Sequence, residues 1–318
     1  MAQLAVTGAA GYIGNLLSRT AATEGWDVRG VDDLTGPISI APDGIRFLSE
    51  RFFSPEALRF LEGSEVVLHL AAVSGVMPCA NDPVGTREVN VGGTAQLVEW
   101  CRARRIPLAF ASSLSVVGAP PQMPITETTP ANPTHEYARQ KAEGERLVSS
   151  LRPSGIAGVS VRMSNVYGSY SVSGRTVAKG NVINEFSRQA ATGRLRVNSP
   201  GTQRRDFIHI ADVVKAWLAV ADRLRRGAAP NDVYLFASGT AASIREVAAR
   251  MEAAWRHAHP RRAPLAVDVV ENPRGAVELL DERFQVDPRA TWESLGMRPS
   301  HELDREISRI VADVIPPS

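Results

Sequence analysis

The sequence predicts an α/β fold, a doubly wound parallel sheet followed by a smaller carboxyl-terminal region of less regular pattern. Three observations predict it. An apolar strand at Gln3-Leu4-Ala5-Val6-Thr7 runs into a glycine-rich turn and then a helix; apolar strands alternate with helices from there to Arg162; and the alternation is lost after Gly168. At 318 residues the chain is long enough for one large or two ordinary domains.

The first turn carries chemistry. Gly8, Gly11 and Gly14 punctuate Gly8-Ala9-Ala10-Gly11-Tyr12-Ile13-Gly14, and a helix follows at Asn15-Leu16-Leu17. Glycines so spaced let the turn tighten, let the backbone approach a pyrophosphate and let the helix lie close on its strand, while free N–H groups at the helix start attract phosphate. Gly25 stops the helix, residues 28–31 read as a second strand, and Asp32 follows 18 residues beyond Gly14. A carboxylate there accepts hydrogen bonds from ribose hydroxyls and repels a 2′-phosphate. With Asp33 beside it in place of a basic residue, the expected preference is NAD(H) over NADP(H).

Further along, residues 45–48 read as a strand, 55–61 as a short helix and 65–70 as a buried strand. His69 lies inside that apolar run and reads as a hydrogen-bonded core residue. Ala71-Ala72 end the strand with minimal side chains, which suits close passage of a cofactor and equally a tight packing site. Asn90 begins a helix to Arg104 that lines up Val89, Gly93, Leu97 and Cys101. The next strand, 108–111, ends in Ser112, Ser113 and Ser115, hydroxyls at the carboxyl edge of the sheet where open α/β folds bind ligands, or ordinary strand-end serines. Five prolines between 120 and 133 mark an irregular loop before the next helix, and 159–162 is a further strand. Residues 169–180, rich in Ser and Gly, read as an irregular crossing into the second region. There, 182–192, 244–258, 288–295, 301–314 and a stretch from Asp212 read as helices, and 195–197, 232–237 and 265–270 as strands.

Tyr137 and Lys141 stand at i and i+4, on one face of a helix. A phenol beside an ammonium has its anionic form favoured, so its pKa is expected to fall towards the range useful for taking a proton from a sugar hydroxyl. Tyr137 is therefore a candidate general base. The same spacing is that of a core or snorkelling pair; the glycine turn and Asp32 upstream favour the chemical reading.

Composition narrows the partners. Hydrophobic content of 44% and charged content of 22% are those of a globular protein, and a net charge of +2 argues against nucleic acid or an anionic membrane as main partner. No run of 18 apolar residues suggests a membrane span, and a first strand this near Met1 leaves no room for a signal peptide, so the cytoplasm is the expected location. Cys79 and Cys101 have no metal-ligand spacing and read as free thiols; no metal is expected.

The motifs in order resemble the extended short-chain dehydrogenase/reductase family, and within it the nucleotide-sugar epimerases and dehydratases. The resemblance rests on Gly8-x-x-Gly11-x-x-Gly14, Asp32, His69-Leu-Ala-Ala72, Asn90-Val-Gly-Gly-Thr94, Ser112-Ser113, Tyr137-x-x-x-Lys141, Arg162-x-x-Asn165-Val-Tyr-Gly168 and Arg205-Asp-Phe-Ile-His209. It implies a Rossmann-type NAD-binding domain over 1–165, rejoined by part of 207–240, and a nucleotide-sugar-binding region mainly over 166–318. It implies Ser113, Tyr137 and Lys141 as the catalytic set, with Lys141 also on the nicotinamide ribose. Gly8, Gly11, Tyr12, Ile13, Gly14, Asp32, Asp33, Leu70, Ala71, Ala72, Asn90 and Ala111 would line the cofactor. Ser113, Asn165, Asn181, Val182, Arg205 and, with least support, Arg274 would hold a nucleoside-diphosphate sugar, UDP-linked by preference; an ion pair with Asp206 or Asp212 is the other reading of Arg205.

Two departures matter. Dehydratases and decarboxylases of the family carry an acidic residue two places after the catalytic Ser or Thr, where this chain has Ser115, and the usual Tyr before the following glycine is Val117. The resemblance then implies 4-epimerisation of a nucleotide sugar through a 4-keto intermediate with tightly held NAD. A 4-ketoreductase or dehydrogenase with exchangeable NAD(H) is the alternative. It also implies a homodimer, formed by pairing helices 90–104 and 134–151.

Overall fold

The computed structural model describes residues 1–120, 122–228, 231–271 and 283–314, with side chains as far as 312. It divides into two compact units. The first comprises Met1–Gly118, Glu127–Met163 and Val213–Phe236. Its sheet contains β1 (Gln3–Thr7), β2 (Asp27–Asp32), β3 (Arg46–Ser49), β4 (Val66–His69), β5 (Leu108–Ser113), β6 (Gly158–Met163) and the strand Val233–Phe236. The spatial order is 233–236, β6, β5, β4, β1, β2, β3, and every neighbouring pair is parallel. The winding direction reverses at β1, between β2 and β4. In an open parallel sheet the crevice beyond the carboxyl end of that switch point is where a ligand docks.

The helices of this unit include α1 (Tyr12–Thr23), α2 (Pro55–Phe60), α3 (Val76–Asn81), α4 (Pro83–Arg87), α5 (Thr94–Arg104) and α6 (Glu136–Ser149), and most of the helix Ile210–Arg225 also belongs to it. Helical backbone thus begins before Asn90. Asp82 caps α4 by accepting the Gly85 N–H at 2.8 Å, with Pro83 in the first turn, and a wide turn at Glu88–Gly93 then carries the chain into α5. One core cluster joins Val67, Leu97, Val98, Cys101, Leu108, Phe110 and Val148, all buried. Each apolar side chain of that size contributes roughly 1.5–3 kcal/mol on full burial.

Two polar networks cross this core. Arg162 of β6 forks onto Glu145 of α6, Nε to Oε1 at 2.9 Å and Nη2 to Oε2 at 2.8 Å. Ser112 donates to the same carboxylate at 2.6 Å, and Arg162 Nη1 donates to the Thr129 carbonyl at 2.6 Å. Losing one partner of a pair this enclosed typically costs about 3–5 kcal/mol.

His69 forms the second network. Its Nε2 lies 2.9 Å from Thr94 Oγ1, which itself donates to the Asn90 carbonyl at 2.6 Å; its Nδ1 lies 2.6 Å from Thr7 Oγ1. Because the Thr94 proton goes to Asn90, the ring carries its proton on Nε2 and accepts from Thr7. Burial pushes its pKa down to about 3. Unfolding releases a histidine that protonates near pH 6.5, so stability is full above that value and falls as pH drops towards 3, by about 1.4 kcal/mol per unit. Melting curves at pH 7 and pH 5 should diverge by about 2 kcal/mol from this group alone, and His69→Asn, which does not titrate, should narrow the gap.

The second unit comprises Ala119–Thr126, Ser164–Asp212 and Ala237–Ser318. The strand Arg204–His209 lies between Asn165–Tyr167, parallel, and Ala241–Ser243, antiparallel; Arg194–Asn198 pairs in parallel with Ala266–Val270. Helices Val182–Ala190, Ile244–Ala258 and Leu303–Val314 enclose Tyr167, Phe186, Leu195, Phe207, Met251 and Trp255. Segment 119–126 counts with this unit because Ile125 exchanges backbone hydrogen bonds with Gln285 and Asp287, each at 2.8 Å. The Ser/Gly-rich stretch is not an irregular crossing. It forms a hairpin, Ser169–Val172 against Arg175–Ala178, whose two turn residues Ser173 and Gly174 have φ of 47° and 77° as a tight hairpin requires. Among the described residues no helix is long and apolar enough to cross a membrane, and no cluster of His, Cys, Asp or Glu could hold a metal ion.

Candidate active site

The glycine turn sits at the carboxyl end of β1. Gly8 N–H donates to the Val31 carbonyl at 2.8 Å, tying the turn to β2, and adopts φ 74°. A Cβ on Gly8 would stand 2.6 Å from the Ala71 backbone N, and one on Gly14 would stand 2.0 Å from the Gly8 carbonyl oxygen. The turn is therefore packed to the limit. The start of α1 has no side-chain cap and no acidic residue in its first turn, which leaves the positive end of the helix facing the crevice. Tyr12 is buried and Ile13 half-buried behind it.

Asp32, at the end of β2, accepts Ala10 N–H at 3.1 Å and Leu34 N–H at 2.9 Å on different oxygens. Each oxygen keeps capacity for a further donor such as a ribose hydroxyl. Burial pushes its pKa up, against the two backbone donors. Asp33 is exposed and holds Thr35 through its backbone N–H and hydroxyl. The following loop is pinned back on the turn, since Ile40 N–H donates to Ala10 and Asn15 Nδ2 to the Ile40 carbonyl at 2.7 Å.

On the other side of β1, Leu70 N–H donates to the Thr7 carbonyl at 3.0 Å, and Ala71 and Ala72 follow half-buried. Asn90 is buried, with its carboxamide engaged within the protein: Oδ1 accepts Val73 N–H at 2.8 Å, and Nδ2 donates to the Val73 carbonyl and to Gln140 Oε1. It clamps the segment after β4, so any influence on a ligand runs through that segment.

The helix carrying Tyr137 starts where His135 accepts Ala138 N–H at 3.2 Å, and the His135 and Tyr137 rings stack with centroids 6.2 Å apart. Lys141, one turn on, is buried; its Nζ donates to the Ala111 carbonyl at 2.7 Å and lies 6.0 Å from the Tyr137 ring centroid. Ser113 and Ser74 both hydrogen-bond the Tyr137 hydroxyl, Ser74 from 3.4 Å. The expected drop in the phenol's pKa is not what the geometry produces. Burial pushes it up, and the two serines oppose that rise. Lys141 gives a hydrogen bond from its ammonium to the carbonyl of the strand residue Ala111.

Ser113, Tyr137 and Lys141 are thus brought together in the first unit, beside a cradle formed by Gly8, Gly14 and Asp32. Ser74 is not among the residues that the sequence singles out. A lone exposed serine in a loop carries no periodic signal; its place two residues past Ala72, at the carboxyl edge of the sheet, is the available hint.

The second unit holds the remaining candidates. Asn165 is exposed, with Nδ2 donating to the Asp206 carbonyl at 3.1 Å. Asn181 caps the helix that Val182 begins, accepting Asn184 N–H at 2.9 Å, and donates to the Val166 carbonyl at 2.9 Å, so both asparagines are tied to the strand Asn165–Tyr167 or its neighbour. Arg205 is half-buried, with Nη1 donating to the Arg204 carbonyl at 2.8 Å. Asp206 is fully buried and accepts from Ser164, Ser238, Gly239 and Thr240. Arg274 lies outside the described residues.

Comparison with known proteins agrees with this frame. The sequence pattern of the NAD dependent epimerase/dehydratase family matches residues 4–235. A putative UDP-glucose 4-epimerase of Methanocaldococcus jannaschii is 30% identical over 96% of this chain and 96% of its own length. Among solved structures, UDP-glucose 4-epimerase from Brucella ovis in complex with NAD superposes with a TM-score of 0.82 at 26% identity, covering 98% of each chain. TunA, an NAD-dependent NDP-hexosamine 5,6-dehydratase involved in tunicamycin biosynthesis, does so with a TM-score of 0.81 at 26% identity, covering 99% of this chain and 97% of its own. With nearly three quarters of its length matched by one family pattern, and the glycine turn and Tyr-Lys helix in place, the chain belongs to the NAD dependent epimerase/dehydratase family.

Proposed function

We propose that the protein is a nucleoside-diphosphate-sugar 4-epimerase acting on a UDP-hexose. The observation that carries this reading is the Tyr137 phenol, hydrogen-bonded by Ser113 and Ser74 and one helical turn from the buried Lys141. The names of the similar proteins support it, since UDP-glucose 4-epimerases recur among them. Ser115, a hydroxyl where relatives that dehydrate or decarboxylate their sugar carry an acid, favours epimerisation over 4,6-dehydration or decarboxylation.

The tight turn at Gly8 and Gly14 and the spare acceptor capacity of Asp32 fit a dinucleotide. The start of α1 would hold the pyrophosphate, Asp32 the adenosine ribose and Lys141 the nicotinamide ribose. NAD, when bound, supplies a hydride acceptor and donor and a positive ring charge. Tyr137 as phenolate takes the proton from the 4-hydroxyl, and Ser113 hydrogen-bonds the same oxygen. When the 4-keto sugar has turned over in the site, Tyr137 returns the proton on completion of the reverse step. General-base help of this kind contributes typically ~10²–10⁴-fold. Asn165, Asn181, Val182 and Arg205 are proposed to hold the nucleoside diphosphate, Arg205 through charge-assisted bonds to phosphate. A homodimer built on α5 and α6 is also proposed; light scattering that finds a monomer removes it.

Asp32 gives the proposal a test of its own. Asp32→Ala is expected to weaken NAD binding about tenfold, the cost of a charge-assisted hydrogen-bonded pair. Ribose hydroxyls donate more strongly to the ionised carboxylate than to its neutral form, and burial holds the Asp32 pKa above the usual range. NAD affinity should therefore be full above that pKa and fall as pH drops through it, a dependence that Asp32→Asn should abolish; calorimetric titrations across pH check both.

The deciding experiment incubates the purified protein, without added cofactor, with UDP-, dTDP-, GDP- and CDP-hexoses, following sugar stereochemistry by NMR and NADH by absorbance. Interconversion of two 4-epimers with no net NADH supports the proposal. Turnover only with stoichiometric NAD or NADH favours the reductase or dehydrogenase alternative.

A further inference from the structure

Ser113 sits in a hydrogen-bond arrangement that the epimerase reaction leaves unexplained. Its Oγ accepts Ser115 N–H at 3.2 Å, and the hydroxyl oxygens of Ser113 and Ser115 are 2.9 Å apart. The contacts arise because Ser113 caps a single tight turn, Leu114–Val117, that folds residue 115 back over residue 113.

A serine oxygen has two lone pairs and one proton. The backbone N–H of Ser115 occupies one lone pair. The Ser115 hydroxyl either fills the second or takes the proton, and the two cases have opposite effects on Tyr137. If Ser113 gives its proton to Ser115, it meets the phenol only as an acceptor and holds the phenol protonated. If Ser115 is the donor, both lone pairs of Ser113 are filled. Its proton then has one direction left, towards the phenol and the reacting oxygen.

We propose that Ser115 is a positioning residue, donating its hydroxyl to Ser113 and so fixing the one Ser113 proton as a donor directed at the Tyr137 oxygen or, in its turn, at the oxygen on the reacting carbon. The Ser113 O–H bond stays intact throughout; only its direction is set. The inference rests on Tyr137 being the base. It also gives the departure at position 115 a physical meaning. A carboxylate there could only accept, and would turn Ser113 away from the phenol. Within the first unit the titratable groups facing the phenol are His135 and Lys141 on its own helix and Cys79 from α3. None of these bears a formal negative charge at neutral pH, and donated hydrogen bonds add to the Lys141 ammonium in favouring the phenolate against burial.

The test uses the NAD-loaded protein, with Ser115→Ala, Ser115→Thr and Tyr137→Phe, the last isolating the signal of Tyr137 among the five tyrosines. Tyrosinate absorbance followed against pH should place the Tyr137 titration about half to one pH unit higher in Ser115→Ala, the size of one lost hydrogen bond. At neutral pH kcat should fall about three- to tenfold with KM unchanged, recovering at higher pH. Ser115→Thr, which keeps the hydroxyl, should restore both. A titration in Ser115→Ala that is unmoved or moved down overturns the proposal, as does failure of Ser115→Thr to restore it. If no nucleotide sugar is epimerised yet the titration moves as described, the epimerase reading falls and this inference stands. Epimerisation with an unmoved titration does the reverse: the epimerase reading stands and the role given to Ser115 falls.

Discussion

Tyr137→Phe is expected to lower kcat by about 10³-fold, the middle of the range for a lost general base, while leaving NAD affinity within about threefold of the parent. The ring remains, so its stacking on His135 and its packing are kept; only the hydroxyl that meets Ser113 and Ser74 is removed. Steady-state rates with the identified sugar, paired with NAD titration by fluorescence, separate the two effects. Retention of more than a tenth of the parent rate would exclude Tyr137 as the base. The burial that pushes the phenol up sets the sign of the pH dependence. The proton-accepting form grows as pH rises, so the rate of the parent should climb from acid to neutral pH, and the residual rate of Tyr137→Phe should lack that limb.

The second large effect lies in the glycine turn. Gly14→Ala places a methyl group 2.0 Å from the Gly8 carbonyl oxygen, a distance that no side-chain rotation relieves because both groups belong to backbone. Either α1 moves off β1 or the turn opens. Overpacking of this kind costs typically 1–3 kcal/mol of stability, and more where backbone must shift. The larger loss should be in cofactor binding, since the N–H groups of the turn and the start of α1 are displaced together. We expect NAD affinity to fall by at least ~100-fold, with a lowered melting temperature that NAD at a concentration saturating for the parent raises much less. Calorimetry with and without NAD measures both.

Much of this site is legible in the sequence because its parts are local. The glycine turn, Asp32 and the Tyr137-Lys141 spacing each need only a few consecutive residues and the period of a helix or strand. What is not legible depends on pairing across long separations. Ser74 reaches Tyr137 over 63 residues because β4 and β5 are neighbours. The hairpin at 169–178 is hidden by its composition, since Ser169 and Ser171 occupy exposed strand positions and Ser173 and Gly174 the turn, while Val172 and Val177 are buried. The pKa of Tyr137 departs from expectation for a different reason. Spacing places Lys141 on the same face, but the carbonyl of Ala111 receives its ammonium, and burial then dominates the phenol.

Tyr137, Lys141 and Glu145 stand four residues apart on α6, and four residues overshoot one helical turn by about 40°. The stripe therefore winds as it climbs: Tyr137 meets Ser74 after β4 and Ser113 of β5, Lys141 meets Ala111 of β5, and Glu145 meets Arg162 of β6. The helix is threaded across three adjacent strands like a screw in three nuts. Its rotation about its own axis is gauged at one end by a fork of ion-pair bonds and read out at the other as the aim of the phenol. Substitutions at Glu145 are thereby expected to act on Tyr137 as an error of angle.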